Sequence, residues 1–418
     1  MANRRLRSTL SAAGIAALLF ALGALAQVSA PMPTGSGDQK KKEAPKQTLS
    51  PEVAKKLRPA QDALQKGDLD AAINGAKEGL SISTKPYDKE MSLRILANAA
   101  GRKKDFDTYA VAAEQLNELD AVPADEKAKN YKVLAQIYGQ QRNYEKAALN
   151  ATKWAEMGGG GEAYGMLATI YLVQKDCKNG IVALQKSVAG RDATETELKQ
   201  ENYCFYTLGD KPNRQAVMET LVAKFLKRDY LADLMQIYEE QNVDSRAMLN
   251  VFRFAFDRDF LTRESEFVGY ADIALEAGAP AEALKVLETG ISKGAVKLIA
   301  PTDRNSKMLA QAKLQTAEDR KLILQLDKEA RGGKSGEADV KVGLAFLGLG
   351  EYDKAAEAIE RGLTADRVGR VKRVDDAQMC LGIAYLKLGK KDDAIKAFTA
   401  AKGDTRMAKA ATIWLQAS

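Results

Sequence analysis

LGIAYLKLGKKDDAIKAFTAA, residues 381–401, divides into two apolar stripes around a glycine. Leu381, Gly382 and Tyr385 fall within little more than one helical turn, where a small residue lets a neighbouring helix approach and a large one fills the gap beside it. Gly389 marks the turn. Ala394, Phe398 and Ala401 then return at steps of four and three, which keeps them on one face of a second helix. A pair of helices this short cannot bury its apolar face alone, so the stretch predicts neighbours built the same way.

Those neighbours are present. Val342, Gly343, Phe346, Gly350, Ala355, Ile359 and Gly362 follow the same order 39 residues upstream, Gly343 to Gly382. Leu134, Ala135, Tyr138, Tyr144 and Ala147 make another copy, and Leu167, Ala168, Tyr171 and Leu184 the next, with Ala135 and Ala168 separated by 33 residues. Weaker copies run through Gly67, Asp68, Leu69, Asp70, Ala72, Gly79 and Leu80, through Leu93, Leu96, Ala97, Phe106 and Leu116, and through Gly278, Ala283, Leu287 and Gly290. These residues closely resemble the tetratricopeptide repeat family, whose period is about 34 residues. The longer step before Gly382 places a short insertion at Arg367 to Arg373, in a loop. The pattern resembles that of an exported bacterial member of the family.

The expected fold class is therefore all-α, a right-handed α-solenoid of helix-turn-helix repeats, preceded by a signal peptide and a flexible linker. Residues 1–26 read as the signal: Arg4, Arg5 and Arg7 precede an apolar run from Leu10 to Leu25, and Ala24, Leu25, Ala26 form a small-x-small cleavage pattern. Residues 27–50 are rich in Pro, Gly, Lys and polar residues and read as a tether. Ser50 and Pro51 resemble a cap and a first-turn proline, which starts the first helix. Residues 51–194 hold N-terminal repeats, 195–332 degenerate helical repeats such as the stripe Leu231, Leu234, Met235 and Tyr238, and 333–418 the C-terminal repeats.

The chain contains no histidine, which removes Ser-His-Asp and Cys-His catalysis and any His-containing zinc site. Asp375 with Asp376 and Asp392 with Asp393 sit at helix starts, where the helix dipole favours negative charge, and read as capping residues instead of an acid pair. Gly332, Gly333, Lys334 and Ser335 mimic the end of a phosphate-binding loop, but Lys328 stands where its first glycine should be. The reading is of a protein that is not an enzyme and takes no cofactor or metal. Gly158 to Gly161 read as a flexible helix end that lets two repeats change angle. The formal charge of +7, 63 basic against 56 acidic residues, is diluted over the chain and does not suggest nucleic acid. The basic cluster Arg367, Arg370, Lys372 and Arg373 reads as a solvated loop, with contact to anionic lipid headgroups or an acidic partner as the sharper alternative.

What the resemblance implies for function is a binding groove lined by first helices. On this chain that face includes Arg94, Asn98, Lys129, Lys132, Gln136, Thr169 and Leu172, where Arg94 and Asn98 with Lys129 and Lys132 resemble in part a carboxylate clamp. In the last two repeats it carries Val340, Leu344, Leu347, Met379, Ile383 and Leu386, an apolar surface that invites a helix or another repeat. The expected role is a periplasmic scaffold or adaptor binding peptide or helical segments of envelope proteins, with no transmembrane anchor in the mature chain. The alternatives are an enzyme with an unrecognised site in residues 195–330, or a cell-wall or small-ligand binder. Cys177, opening one helix, and Cys204, toward the end of the next, should meet at one edge of the stack, so an oxidising compartment predicts a disulfide between them. Cys380, beside Leu381, belongs in the core.

Overall fold

The computed structural model describes residues 48–417. The signal and most of the tether lie outside these residues. Among the described residues the regular structure is helical throughout, and no helix is long and apolar enough to cross a membrane. The chain divides into two compact units, one ending at Asp210 and the other beginning at Lys211.

The first unit contains α1 (Pro51–Lys66), α2 (Leu69–Ser81), α3 (Pro86–Lys103), α4 (Phe106–Glu118), α5 (Ala124–Gln140), α6 (Tyr144–Trp154), α7 (Gly160–Val173), α8 (Cys177–Ser187) and α9 (Glu195–Leu208). The helices α1 to α8 form four hairpins, each stacked on the next. Every second helix starts in the same way. A residue with positive φ (Gly67, Lys104, Arg142 or Lys175) reverses the chain, and Asp68, Asp105, Asn143 or Asp176 then caps the helix by accepting a backbone N–H three residues on. Alanines fill the crossings, with Ala72, Ala99, Ala112, Ala135, Ala147 and Ala168 all fully buried or nearly so. Small residues there let the helices approach, and Leu57, Leu93, Leu134 and Ile170 fill the spaces between.

Pro51 does open α1, but Ser50 does not cap it through its side chain. Its N–H and hydroxyl instead donate to the buried Asp88 carboxylate on α3, at 2.9 and 2.7 Å. The glycine run lies at a kink between two helices. Ala155–Gly159 join α6 to α7 through a kink in which Met157 and Gly158 leave helical geometry, Gly158 has φ 92°, and a Cβ on Gly161 would stand 2.8 Å from the Ser187 carbonyl oxygen. Gly159 and Gly161 thus serve close packing, whereas Gly158 and Gly160 supply positive φ with open space around them.

The second unit contains α10 (Lys211–Phe225), α11 (Arg228–Glu240), α12 (Ser245–Asp257), α13 (Glu264–Glu276), α14 (Pro280–Ser292), the long α15 (Arg304–Gly332), α16 (Gly336–Leu349), α17 (Tyr352–Gly362), α18 (Val374–Lys387), α19 (Lys391–Lys402) and α20 (Ala408–Ala417). The opening stretch of sequence is the α18–α19 hairpin. A Cβ at Gly382 would meet the Phe398 ring at 2.5 Å, and one at Gly343 would meet Ile359 Cγ1 at 2.5 Å, so both glycines mark points where paired helices nearly touch. The motif tyrosines serve a second purpose. Tyr138 donates its hydroxyl to Glu114 on the preceding second helix at 2.5 Å while its ring is buried, and the half-buried Tyr385 donates likewise to Glu360.

The insertion becomes a short 3-10 turn, Val368–Arg370, and its basic residues do not form one solvated patch. Arg367 binds the fully buried Asp339 at 2.6 Å, and Arg373 binds Asp244 and Asp375. Two of its four cations therefore hold the unit together.

Candidate interaction surfaces

In the first unit the face carried by α3, α5 and α7 holds the residues expected to form a clamp. Arg94 on α3 bonds Glu90 at 2.9 Å and Glu126 on α5 at 2.5 Å. Burial acts against its charge, but these carboxylates outweigh it and raise the guanidinium further above its ordinary range. Lys132 on α5 reaches Glu162 on α7 at 2.5 Å and lies 5.0 Å from the centre of the Trp154 ring. Successive first helices are thus stitched by one cation–carboxylate pair per step. Lys129 pairs with Asp125 and is exposed, while Asn98 and Gln136 are half-buried. The surface has mixed charge in place of the basic clamp that sequence suggests. Thr169 and Leu172 are buried: Thr169 returns its hydroxyl to the Gly165 carbonyl, and Leu172 packs beside Gly180. Neither belongs to an open face.

A repeated feature on this unit carries no motif signature. Lys153 sits 5.3 Å from the Tyr131 ring centre and Lys186 sits 5.1 Å from that of Tyr164, the same pair one repeat later. Its signal in the sequence is a tyrosine and a lysine that both recur after 33 residues.

The second unit answers its apolar face from within. Of the expected groove residues there, Met379 is fully buried and Val340, Leu347 and Ile383 nearly so, while Leu344 and Leu386 are half-buried. The occupant includes α12, a helix of the degenerate region. Asn250 on α12 donates to Asp376 on α18 at 3.0 Å, and Arg253 one turn on donates to Cys380 Sγ at 3.1 Å. Trp414 on α20 completes the closure: its indole N–H donates to the Asn250 carbonyl at 2.9 Å, and its ring packs edge-on against Phe254 and stacks with Phe398.

At the centre of this packing Arg253 makes two parallel hydrogen bonds to Glu282, 2.7 and 2.8 Å, and Tyr270 adds a third at 2.5 Å. Burial alone would raise the Glu282 pKa. The Arg253 charge and these hydrogen bonds outweigh it and hold the carboxyl below its ordinary range. A cavity of about 230 Å³ remains beside the network, walled in part by Phe256, Leu347, Ile383 and Trp414.

Cys177 and Cys204 are both buried and near each other where α8 packs on α9. Cys380 is fully buried, and burial pushes its thiol well above the usual range.

Residues 341–416, which begin within α16 and run through the α18–α19 hairpin into α20, match the family model for the tetratricopeptide repeat. The chain carries tetratricopeptide repeats. Among solved structures, a tetratricopeptide repeat protein from Parabacteroides merdae is 11% identical and is matched over 63% of this chain and 100% of that one, at a TM-score of 0.30. The TPR domain of P58(IPK) is 13% identical over 88% of this chain and 99% of that one, TM-score 0.24. The Naa15/Naa10 complex bound to HypK-THB is 12% identical over 84% and 63%, TM-score 0.28. No curated protein matches. The tetratricopeptide fold is that of a protein-binding scaffold.

Proposed function

We propose that this tetratricopeptide-repeat protein is a periplasmic scaffold whose first unit binds a peptide or helical segment of an envelope protein complex. The observation that carries this reading is the contrast between the two inner faces. In the second unit α12 and α20 cover the α18 part of that face, whereas α3 and α5 present Asn98, Lys129, Lys132 and Gln136 with at least part of each side chain accessible. Alternating cations and carboxylates along such a face select a partner by charge register more than by apolar area. The export pattern in residues 4–26 supports the location.

Crosslinking in cells through a photoreactive residue at Gln136, followed by identification of the adduct, tests the scaffold. A discrete envelope protein is expected, with the adduct reduced by Lys129→Glu combined with Lys132→Glu. Recovery of glycan fragments or metabolites alone would refute it. Fusion of residues 1–30 to a reporter that functions only after export tests the location. We further propose that in that compartment Cys177 and Cys204 join α8 to α9 as a disulfide, and an unreduced digest in which both thiols are alkylated would show that they do not.

A further inference from the structure

The second unit holds a larger cavity, about 550 Å³, between the last part of α15 and α16. Residues 333–335 join these helices, so they run antiparallel, and the cavity has two chemically different ends. Near the joint, Gly336 packs under the Arg367–Val371 loop and Glu337 accepts the Lys372 N–H. Arg246 and Arg373 line the cavity there together with Glu329, Glu337 and Asp376, of which Glu337 is engaged by the Lys372 N–H and Asp376 by Asn250. At the other end Asp319 lies with Ala277 and Gly278, the turn that precedes α14. Ile323, Leu326, Ala330, Val340 and Leu344 form the wall between. From Asp319 to Ala330 a helix rises about 16 Å, so the cavity is an apolar slot of that order of length.

The cations at the joint are not equally occupied. Arg373 is bound by two carboxylates, with Asp244 at 3.0 and 3.1 Å and Asp375 at 2.8 Å. Arg246 makes one ion pair, to Asp376 at 3.6 Å, too long for a hydrogen bond, and Asp376 already accepts from Asn250. Lys341 stands at the rim, 70% exposed. The Arg246 guanidinium therefore faces the slot with donors to spare. At the far end Asp319 has no cation within salt-bridge distance among the described residues, and a carboxylate there is a poor neighbour for further methylene groups.

We propose that this slot binds a medium-chain anionic amphiphile, with its head on Arg246, its alkyl chain along Ile323, Leu326, Ala330, Val340 and Leu344, and its length limited by Asp319. The site is independent of the first-unit surface. Calorimetric titration of the full mature chain with alkanoates below their micellar concentrations tests it. Affinity should rise about fourfold per methylene up to dodecanoate and rise no further to hexadecanoate. Arg246→Gln should weaken dodecanoate at least tenfold, and Ile323→Trp should abolish binding with the circular dichroism unchanged. Asp319→Leu, on a partly exposed position, should move the preference toward hexadecanoate and keeps the test intact if the tryptophan variant fails to fold. Failure of dodecanoate to saturate, equal binding of dodecylammonium, or binding that ignores all three substitutions would overturn the proposal. Binding only to anionic vesicles, with none to free dodecanoate, would also overturn it.

Discussion

The two units solve the same problem, ending one helix and starting its partner, with different residues. In the first unit an aspartate or asparagine caps each second helix, and three of its four hairpin turns place a lysine or arginine at positive φ. In the last two hairpins of the second unit Gly350 and Gly389 take that conformation and the following residue, Glu351 or Lys390, makes no side-chain cap. Local hydrogen bonds thus define the first unit's hairpins. The second unit relies more on contacts distant in sequence, such as Asn250 with Asp376 and Trp414 with Asn250. A repeat array with local stitching opens in segments, whereas one tied from end to end opens as a whole.

The largest test of this difference is Arg253→Ala. It leaves the buried Glu282 without its charge partner and should destabilise the second unit by about 3–5 kcal/mol, with amide exchange accelerating in α12, α14, α18 and α20 together. Protection in α1 to α8 should not change, and loss there would show that the units are not energetically separate. The same pair sets an acid limit. The folded pKa of Glu282 is depressed, so its contribution is fully present above the unfolded value of about 4.3 and is lost as pH falls through the folded one. Denaturation followed from pH 6 downward should therefore weaken below about pH 4.3 in the second unit, and Glu282→Gln should flatten that slope at the cost of stability at neutral pH.

Gly382→Ala is the next largest, about 1–3 kcal/mol, because the added methyl collides with the Phe398 ring. Its effect should spread to α12 through Trp414, which stacks on Phe398. Asp105→Ala removes a cap that also holds the Thr108 hydroxyl, and should cost about 1 kcal/mol, confined in exchange measurements to α3 and α4. The smallest change should be a gain: Lys175→Gly relieves a side chain held at φ 61° and should raise stability by up to about 1 kcal/mol, visible as a shifted denaturant midpoint with unchanged slope.

The hairpins α16–α17 and α18–α19 were legible because their apolar spacing is local: Gly382 and Phe398 lie 16 residues apart and meet by helix geometry alone. So were Asp68 and Asp105, whose caps act within one turn. The fate of the apolar inner face was not legible. Met379 and Ile383 carry the composition of an exposed docking groove, and nothing near them in sequence announces that α12, some 126 residues upstream at Asn250 and Asp376, lies against their helix. Arg94 and Lys132 misled for a related reason. Their charge is visible in the sequence, but Glu126 and Glu162, which neutralise them, lie 32 and 30 residues away on the next first helix. Thr169 and Leu172 fall on the buried side of a helix whose apolar residues run nearly all round, so periodicity could not orient it.

By itself the sequence determined that this protein is a stack of helix pairs and where most of the turns fall, because those features depend on residues within one or two helical turns of each other. The tertiary structure decided which faces remain open. Access to a surface is set by the sum of all the segments that pack on it, and for the second unit those segments include α12 and the C-terminal α20, which no local pattern connects to the part of the groove they cover.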